Sequence, residues 1–400
     1  MGEEKLDWLR MAEVFCKDGE FDKMRSAGRE ILLLDPTDVA GFGIMAESSI
    51  LLATAAPHTD SGKKAAQKAL GEAKSLIDKG EEYLTKTTPA IDKIRLWLAK
   101  AEFYWRYYLL DDCLPLFAKL LRYYPDVIGG RYEDYLHEPL KRALGFYGDA
   151  AILAGDAKKA TELAFKASEL ATSLKQKASY YSKGLFLLNY TEAAPTFEKA
   201  KGYQQFSKTV LRFPHDRQKR RQPHSLRIGY ISPDFRQHAV CNFVLPFFQA
   251  ATKASYKIYA YSLGREDAVT RELKKKVGFW RDVREKTPAE VAKLIFDDRI
   301  DILVDLAGHS ENNALEILAY KPAPVIVSGI GYTASTGLSE VDYFLVDENT
   351  VPTDMQPTGF LEKPLRLPTT HLCYRPELLH KLKPRSADPP SVKNGFITFG

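Results

Sequence analysis

Four hundred residues exceed one ordinary domain, and 45% hydrophobic with 27% charged residues is the balance of a chain that builds buried cores. A net charge of +5 is too small for a dedicated nucleic-acid binder but accommodates an anionic small ligand. The four cysteines (Cys16, Cys113, Cys241, Cys373) form no C-x-x-C pair, the opening residues Met1 to Lys5 hold no apolar stretch, and no run of eighteen apolar residues occurs. Zinc-ribbon, signal-peptide and membrane-spanning readings are therefore excluded, and a reducing, cytoplasmic setting is expected.

Up to about Phe213 the pattern is helical almost throughout. Two stretches resemble degenerate tetratricopeptide repeats, helical hairpins of about 34 residues with small residues at packing points and Pro at the end. The first ends at Leu34-Asp35-Pro36, with Ala12 and Phe15 on its first helix, Gly19 and Phe21 at the turn and Met24 in a small-residue slot. The second ends at Tyr124-Pro125, with Ala101, Tyr104 and Cys113 at equivalent offsets. A third unit spaces Gly148, Ala151, Gly155, Ala160, Ala164 and Ala167 correctly but lacks the Pro. Ala and Gly let two helices approach closely, and a Gly-Asp or Gly-Glu step ends a helix in a left-handed turn. A plain helical bundle is the alternative. Residues 56–62 read as a loop, Thr196 to Ser207 as a helix, and 215–223, basic and ending in Pro223, as a linker. His215 and His224 flank it and are expected to face solvent.

Beyond Leu226 short β-branched runs alternate with helical stretches. Strands are predicted over 227–232, 256–262, 301–306, 325–329 and 343–346. Helices are predicted over 265–276, 287–297 and 312–320, the second opened by Thr287 as N-cap, Pro288 and the capping-box partner Glu290. This alternation implies a mostly parallel sheet covered on both faces, with ligands at the carboxyl ends of its strands. Chemistry should then lie in the loops after 232, 306 and 329.

Those loops are distinctive. The first is Ser232-Pro233-Asp234-Phe235-Arg236-Gln237-His238, and the second runs from Asp305 through Gly308-His309 to Asn313. The third runs from Lys321-Pro322-Ala323-Pro324 to Gly329-Ile330-Gly331-Tyr332-Thr333-Ala334-Ser335-Thr336-Gly337, followed by Val341-Asp342-Tyr343. In order and spacing they resemble the O-linked N-acetylglucosamine transferase and SPINDLY family, with the closer likeness to SPINDLY-type members. The likeness covers about residues 225–400. Two positions depart from the family pattern: Thr333 stands where Pro is usual, and Asn242 where one branch has a second His.

The resemblance implies a tetratricopeptide-like helical repeat followed by the Rossmann-like N-terminal lobe of a GT-B glycosyltransferase. The expected boundaries are 1–176 for the repeat domain, 177–224 for a helical connector and linker, 225–390 for the catalytic lobe, and 391–400 for the first strand of a second lobe. The sequence given would end before that lobe, so these residues alone are expected to fold without turning over. The implied activity is transfer of N-acetylglucosamine or fucose from a nucleotide sugar, UDP-GlcNAc or GDP-fucose, to Ser or Thr of a protein held by the repeats. Neither metal nor other cofactor is implied. A non-catalytic repeat protein and an N-glycosyltransferase of the same superfamily are the alternatives.

Within that frame His238 holds the position of a proposed base, the other reading being a His that caps a helix or orients a loop. Asp234, His309, Gly331, Tyr332 and Thr336 are the expected substrate-binding residues. Asp305 is expected to hold His309 or His238 or to cap a helix. His58, His137, His371 and His380 match no site motif.

Overall fold

The computed structural model describes residues 2–57, 59–123, 133–171, 173–192, 197–215, 225–253, 256–354, 359–374 and 388–397. It forms two compact units, Met1–Phe206 and Ser207–Gly400, which part inside the stretch 177–224 expected to be a connector.

The first unit is helical. Glu3–Lys17 and Phe21–Leu34 pair across Gly19, whose φ of +74° ends the first helix. Val39–Ala55 is buried on every side, as an all-round apolar helix must be. Its approach to its neighbours depends on small residues. A Cβ on Gly41 would meet the Gly28 carbonyl at 3.1 Å, and one on Gly43 the Arg95 backbone at 2.8 Å. Glu133–Leu153 and Ala157–Leu170 form the third expected hairpin, turning at Gly155 (φ +83°), with Asp156 capping Lys159 N at 2.9 Å. In the second hairpin the turn residue is Tyr108, a non-glycine at φ +54°, while Tyr124-Pro125 lies outside the described residues. The loop expected over 56–62 is shorter, because Thr59 caps a helix that already begins at Asp60.

The second unit is a seven-stranded, fully parallel sheet in the order β3-β2-β1-β4-β5-β6-β7. The strands are β1 (Arg227–Ser232), β2 (Lys257–Ser262), β3 (Phe279–Asp282), β4 (Ile302–Asp305), β5 (Val325–Ser328), β6 (Tyr343–Asp347) and β7 (Lys363–Leu367). Five were expected; the two edge strands were not. Thr287 and Glu290 form the expected capping box on Pro288–Asp297. The helix expected over 312–320 contracts to Leu315–Leu318, since Asn312 takes a positive φ of 57°. Residues 391–394 belong to a short helix, Pro390–Asn394, where a strand had been expected to begin. Strand order reverses between β1 and β4, so the crevice of an open α/β sheet falls above their carboxyl ends.

His215 was expected in solvent but packs onto this unit. Its Nε2 lies 2.7 Å from the Lys321 carbonyl, and Phe213 stacks on Phe296 at 4.7 Å. Burial of the two aromatic rings outweighs the polar character of the surrounding sequence. His58 and His224 lie outside the described residues.

Candidate active site

All three sequence-flagged loops leave the carboxyl edge of the sheet, and the first two flank the switch point between β1 and β4. The first is held from behind. Asp234 N donates to Ser232 Oγ (2.9 Å), Thr270 Oγ1 to the Phe235 carbonyl (2.7 Å) and Gln237 N to Asp267 (2.7 Å). The buried Cys241 thiol donates to the carbonyls of Asp234 (3.1 Å) and Arg236 (2.9 Å), and burial pushes its pKa up to about 12. So fixed, Asp234 receives Arg236 at 3.1 Å and stands 3.8 Å from His238 Nδ1. His238 Nδ1 accepts from Val240 N at 3.3 Å, which leaves its proton on Nε2 when the ring is neutral. The side chain is 39% exposed, so that donor opens to solvent.

The second loop wraps around Asp305, which is fully buried. Its carboxylate accepts from Ala307 N (3.2 Å), Gly308 N (2.9 Å) and Ser328 Oγ (2.7 Å). It therefore clamps the turn to β5, where it had been expected to hold His309 or His238 or to cap a helix. Gly308 sits at φ +51° with Tyr332 where a side chain would point. His309 is buried and its Nε2 meets the Thr336 carbonyl at 3.0 Å; since a carbonyl only accepts, Nε2 carries the proton. Burial drives the imidazole pKa down to about 3, so this ring is neutral at physiological pH. Ser310 Oγ is buried and has no hydrogen-bond partner among the described residues.

The third loop lies against the second. A Cβ on Gly331 would stand 2.0 Å from the Leu306 carbonyl oxygen, so only glycine permits the contact. Just before it, Ile330 has φ +73°, and Gly331 N bonds the Gly329 carbonyl at 3.0 Å, closing a γ-turn around a β-branched residue. Such strain persists only where surroundings impose it, and it clusters at functional sites. Tyr332 is buried with its ring edge-on to His309 at 5.3 Å. Thr336 is fully buried, its N–H donating to Glu362 at 2.8 Å and its hydroxyl to the same carboxylate. What Thr336 offers the cleft is thus the placement of its carbonyl under His309.

The structure joins His309, Tyr332, Thr336 and Gly331 in one contact chain and pairs Asp234 with His238 through another. Asp267, Thr270, Cys241 and Glu362 escaped the sequence reading; the Asp267-to-Thr270 capping box was the available signal. Among the described residues no group of three or more His, Cys, Asp or Glu is arranged to hold a metal, and no helix is long and apolar enough to cross a membrane.

Residues 196–386 match the family model described as glycosyl transferase family 41. The SPINDLY protein of Oryza sativa subsp. japonica, named as a "probable UDP-N-acetylglucosamine–peptide N-acetylglucosaminyltransferase", is 39% identical over 184 residues, covering 44% of this chain and 19% of that protein. The Caenorhabditis elegans UDP-N-acetylglucosamine–peptide N-acetylglucosaminyltransferase is 28% identical over 148 residues, or 36% of this chain and 13% of its own. The chain thus spans about a fifth or less of these curated relatives. A Thermobaculum terrenum O-GlcNAc transferase mutant structure aligns with a TM-score of 0.54 at 20% identity, covering 94% of this chain and 60% of that one, a likeness of fold.

Proposed function

We propose that the chain serves a protein O-glycosyltransferase that moves an N-acetylglucosamine-like sugar or fucose from UDP-GlcNAc or GDP-fucose to a Ser or Thr hydroxyl. The observation that carries this reading is the meeting of three loops at the carboxyl edge of a parallel sheet, two of them flanking its switch point, fused where Gly331 abuts Leu306 and where His309 holds Thr336. A rigid floor of this kind suits transfer between two bound substrates, where orientation supplies much of the acceleration. The relatives' names support UDP-N-acetylglucosamine as one such donor.

In this reading His238 is a catalytic residue that donates from Nε2 to an oxygen of the reacting pair, with Asp234 beside its other nitrogen. Gly331, Tyr332, His309 and Thr336 shape the surface on which the substrates rest, and the unpartnered Ser310 hydroxyl awaits a polar ligand atom. The helical unit holds the acceptor protein, as stacked helical hairpins commonly bind extended segments. A cytoplasmic setting belongs to the same proposal and is supported by four unpaired cysteines.

The test is a screen of nucleotide sugars with the full reading frame and Ser/Thr peptides, with linkage assigned by mass spectrometry. Sugar on Ser or Thr is expected. Sugar on Asn would make the protein an N-glycosyltransferase, and acceptor binding without transfer from any donor would make it an interaction protein.

A further inference from the structure

In the neutral ring of His238 Nε2 carries the proton and Nδ1 already accepts from Val240 N, and His309 turns its protonated Nε2 onto the Thr336 carbonyl. The hydroxyl proton of an acceptor needs a destination. A third histidine has the opposite arrangement. Asp347 ends β6, and its carboxylate accepts from Asn349 N (3.0 Å), Thr350 N (2.9 Å), Thr350 Oγ1 (3.0 Å), His371 N (2.9 Å) and His371 Nδ1 (2.6 Å). These bonds hold Asp347 well below the usual carboxylate range, so it is an acceptor only and the ring proton must sit on Nδ1. His371 Nε2 then carries the lone pair. It makes no hydrogen bond among the described residues and is not a buried orphan, so it faces solvent from a side chain that is 14% exposed.

Position supports the assignment. Phe344 pairs with Ser328, so Asp347 stands three residues, about 10 Å, beyond Ser328 on the carboxyl side of the sheet. From His371 the chain runs to Tyr374, whose ring lies 5.5 Å from that of Phe243. Phe243 is on the helix Ala239–Lys253, which begins right after His238. Three residues of chain reach at most about 10 Å, so His371 lies within that span of Tyr374, which meets the helix at Phe243.

We propose that Asp347 and His371 form a proton-accepting dyad for the acceptor hydroxyl, an inference that rests on the transferase reading above. The hydroxyl oxygen forms a bond to the anomeric carbon while its proton passes to His371 Nε2. The bond from that carbon to the diphosphate oxygen breaks, and its electron pair leaves with the nucleoside diphosphate. Asp347 stabilises the imidazolium, which returns its proton to solvent.

The discriminating variant is His371→Asn, whose side-chain amide keeps a donor toward Asp347 and deletes Nε2. In the full reading frame, kcat should fall about a hundred- to ten-thousand-fold, with donor KM within about threefold and melting temperature nearly unchanged. His371→Ala with added free imidazole should recover turnover saturably, which guards against a folding defect in the first variant. Wild-type transfer that persists within about fivefold in His371→Asn, or His371→Ala turnover that imidazole does not raise, overturns the dyad and leaves the transferase reading standing. Absence of wild-type transfer from every nucleotide sugar overturns both.

Discussion

In the helical unit, Arg95 is fully buried between Glu13 (3.4 Å) and Glu47 (3.1 Å), and Arg142 ties Glu47 to Glu102 (2.6 Å). In the α/β unit, Asp305, Glu362 and Asp347 are just as hidden, yet they are held by backbone amides, hydroxyls and one imidazole. The first arrangement joins helices far apart in sequence and fixes how they stack. The second shapes individual turns at a sheet edge. Buried ionic pairs of the first kind are costly to break because the surviving charge is stranded. Carboxylates of the second kind fail locally, loop by loop, which is what a cleft assembled from loops requires.

The largest expected effect is in the helical unit. Arg95→Met leaves Glu13 and Glu47 short of a counter-charge and should cost about 3–5 kcal/mol, read as faster hydrogen exchange confined to residues 1–206 of the intact chain. A loss below about 1 kcal/mol would mean that Arg142 alone satisfies these carboxylates. Next comes Gly331→Ala, whose Cβ would collide with the Leu306 carbonyl. It should destabilise the α/β unit by about 2–3 kcal/mol and abolish measurable transfer while the helical unit keeps its exchange protection.

The two units should also respond to acid in opposite directions. Burial raises Glu102 to about 7, so its contribution to folding is fully present below its ordinary pKa and is lost as pH rises through about 7. Burial lowers His309 to about 3, so its contribution is present above its ordinary pKa and is lost as pH falls toward about 3. From pH 7 to pH 5, Glu102 should therefore stabilise the helical unit and His309 destabilise the α/β unit. Unit-resolved hydrogen exchange in the intact chain measures both. Glu102→Gln should flatten the first slope, and His309→Gln, which keeps a donor toward Thr336, the second. Slopes of the same sign in both units would end the contrast. The smallest effect is Thr287→Ala, which removes half of a capping box and should cost about 1 kcal/mol in the α/β unit's unfolding free energy.

The contrast also explains what was legible in advance. β1, β2, β4, β5 and β6 are short apolar runs that end at Ser232, Ser262, Asp305, Ser328 and Asp347, a pattern that buried parallel strands impose. β3 (Phe-Trp-Arg-Asp) and β7 (Lys-Pro-Leu-Arg-Leu) carry charges and a proline because they are edges, and those residues hide a strand from any hydrophobic pattern. The loops around His238, His309 and Gly331 were readable because glycine, histidine and aspartate fall at strand ends. Asp347 and His371 were not, being 24 positions apart and joined only because β6 and β7 run side by side. The ion pairs of Arg95 were equally invisible, since a lone Arg in a helical pattern reads as surface until stacking is known. The backbone contact of Gly331 with Leu306, 25 positions earlier, belongs to the same class of long-range fact.

The most direct test follows sugar from labelled UDP-GlcNAc and GDP-fucose onto a Ser/Thr acceptor peptide, using the full reading frame as wild type and as His238→Ala. Wild-type transfer to a hydroxyl side chain is expected, with a loss of about a hundredfold or more in kcat for His238→Ala, as when a donor to the transition state is removed, and the melting temperature held. Wild-type transfer that survives His238→Ala within about fivefold would contradict the claim that these loops form the reacting cleft.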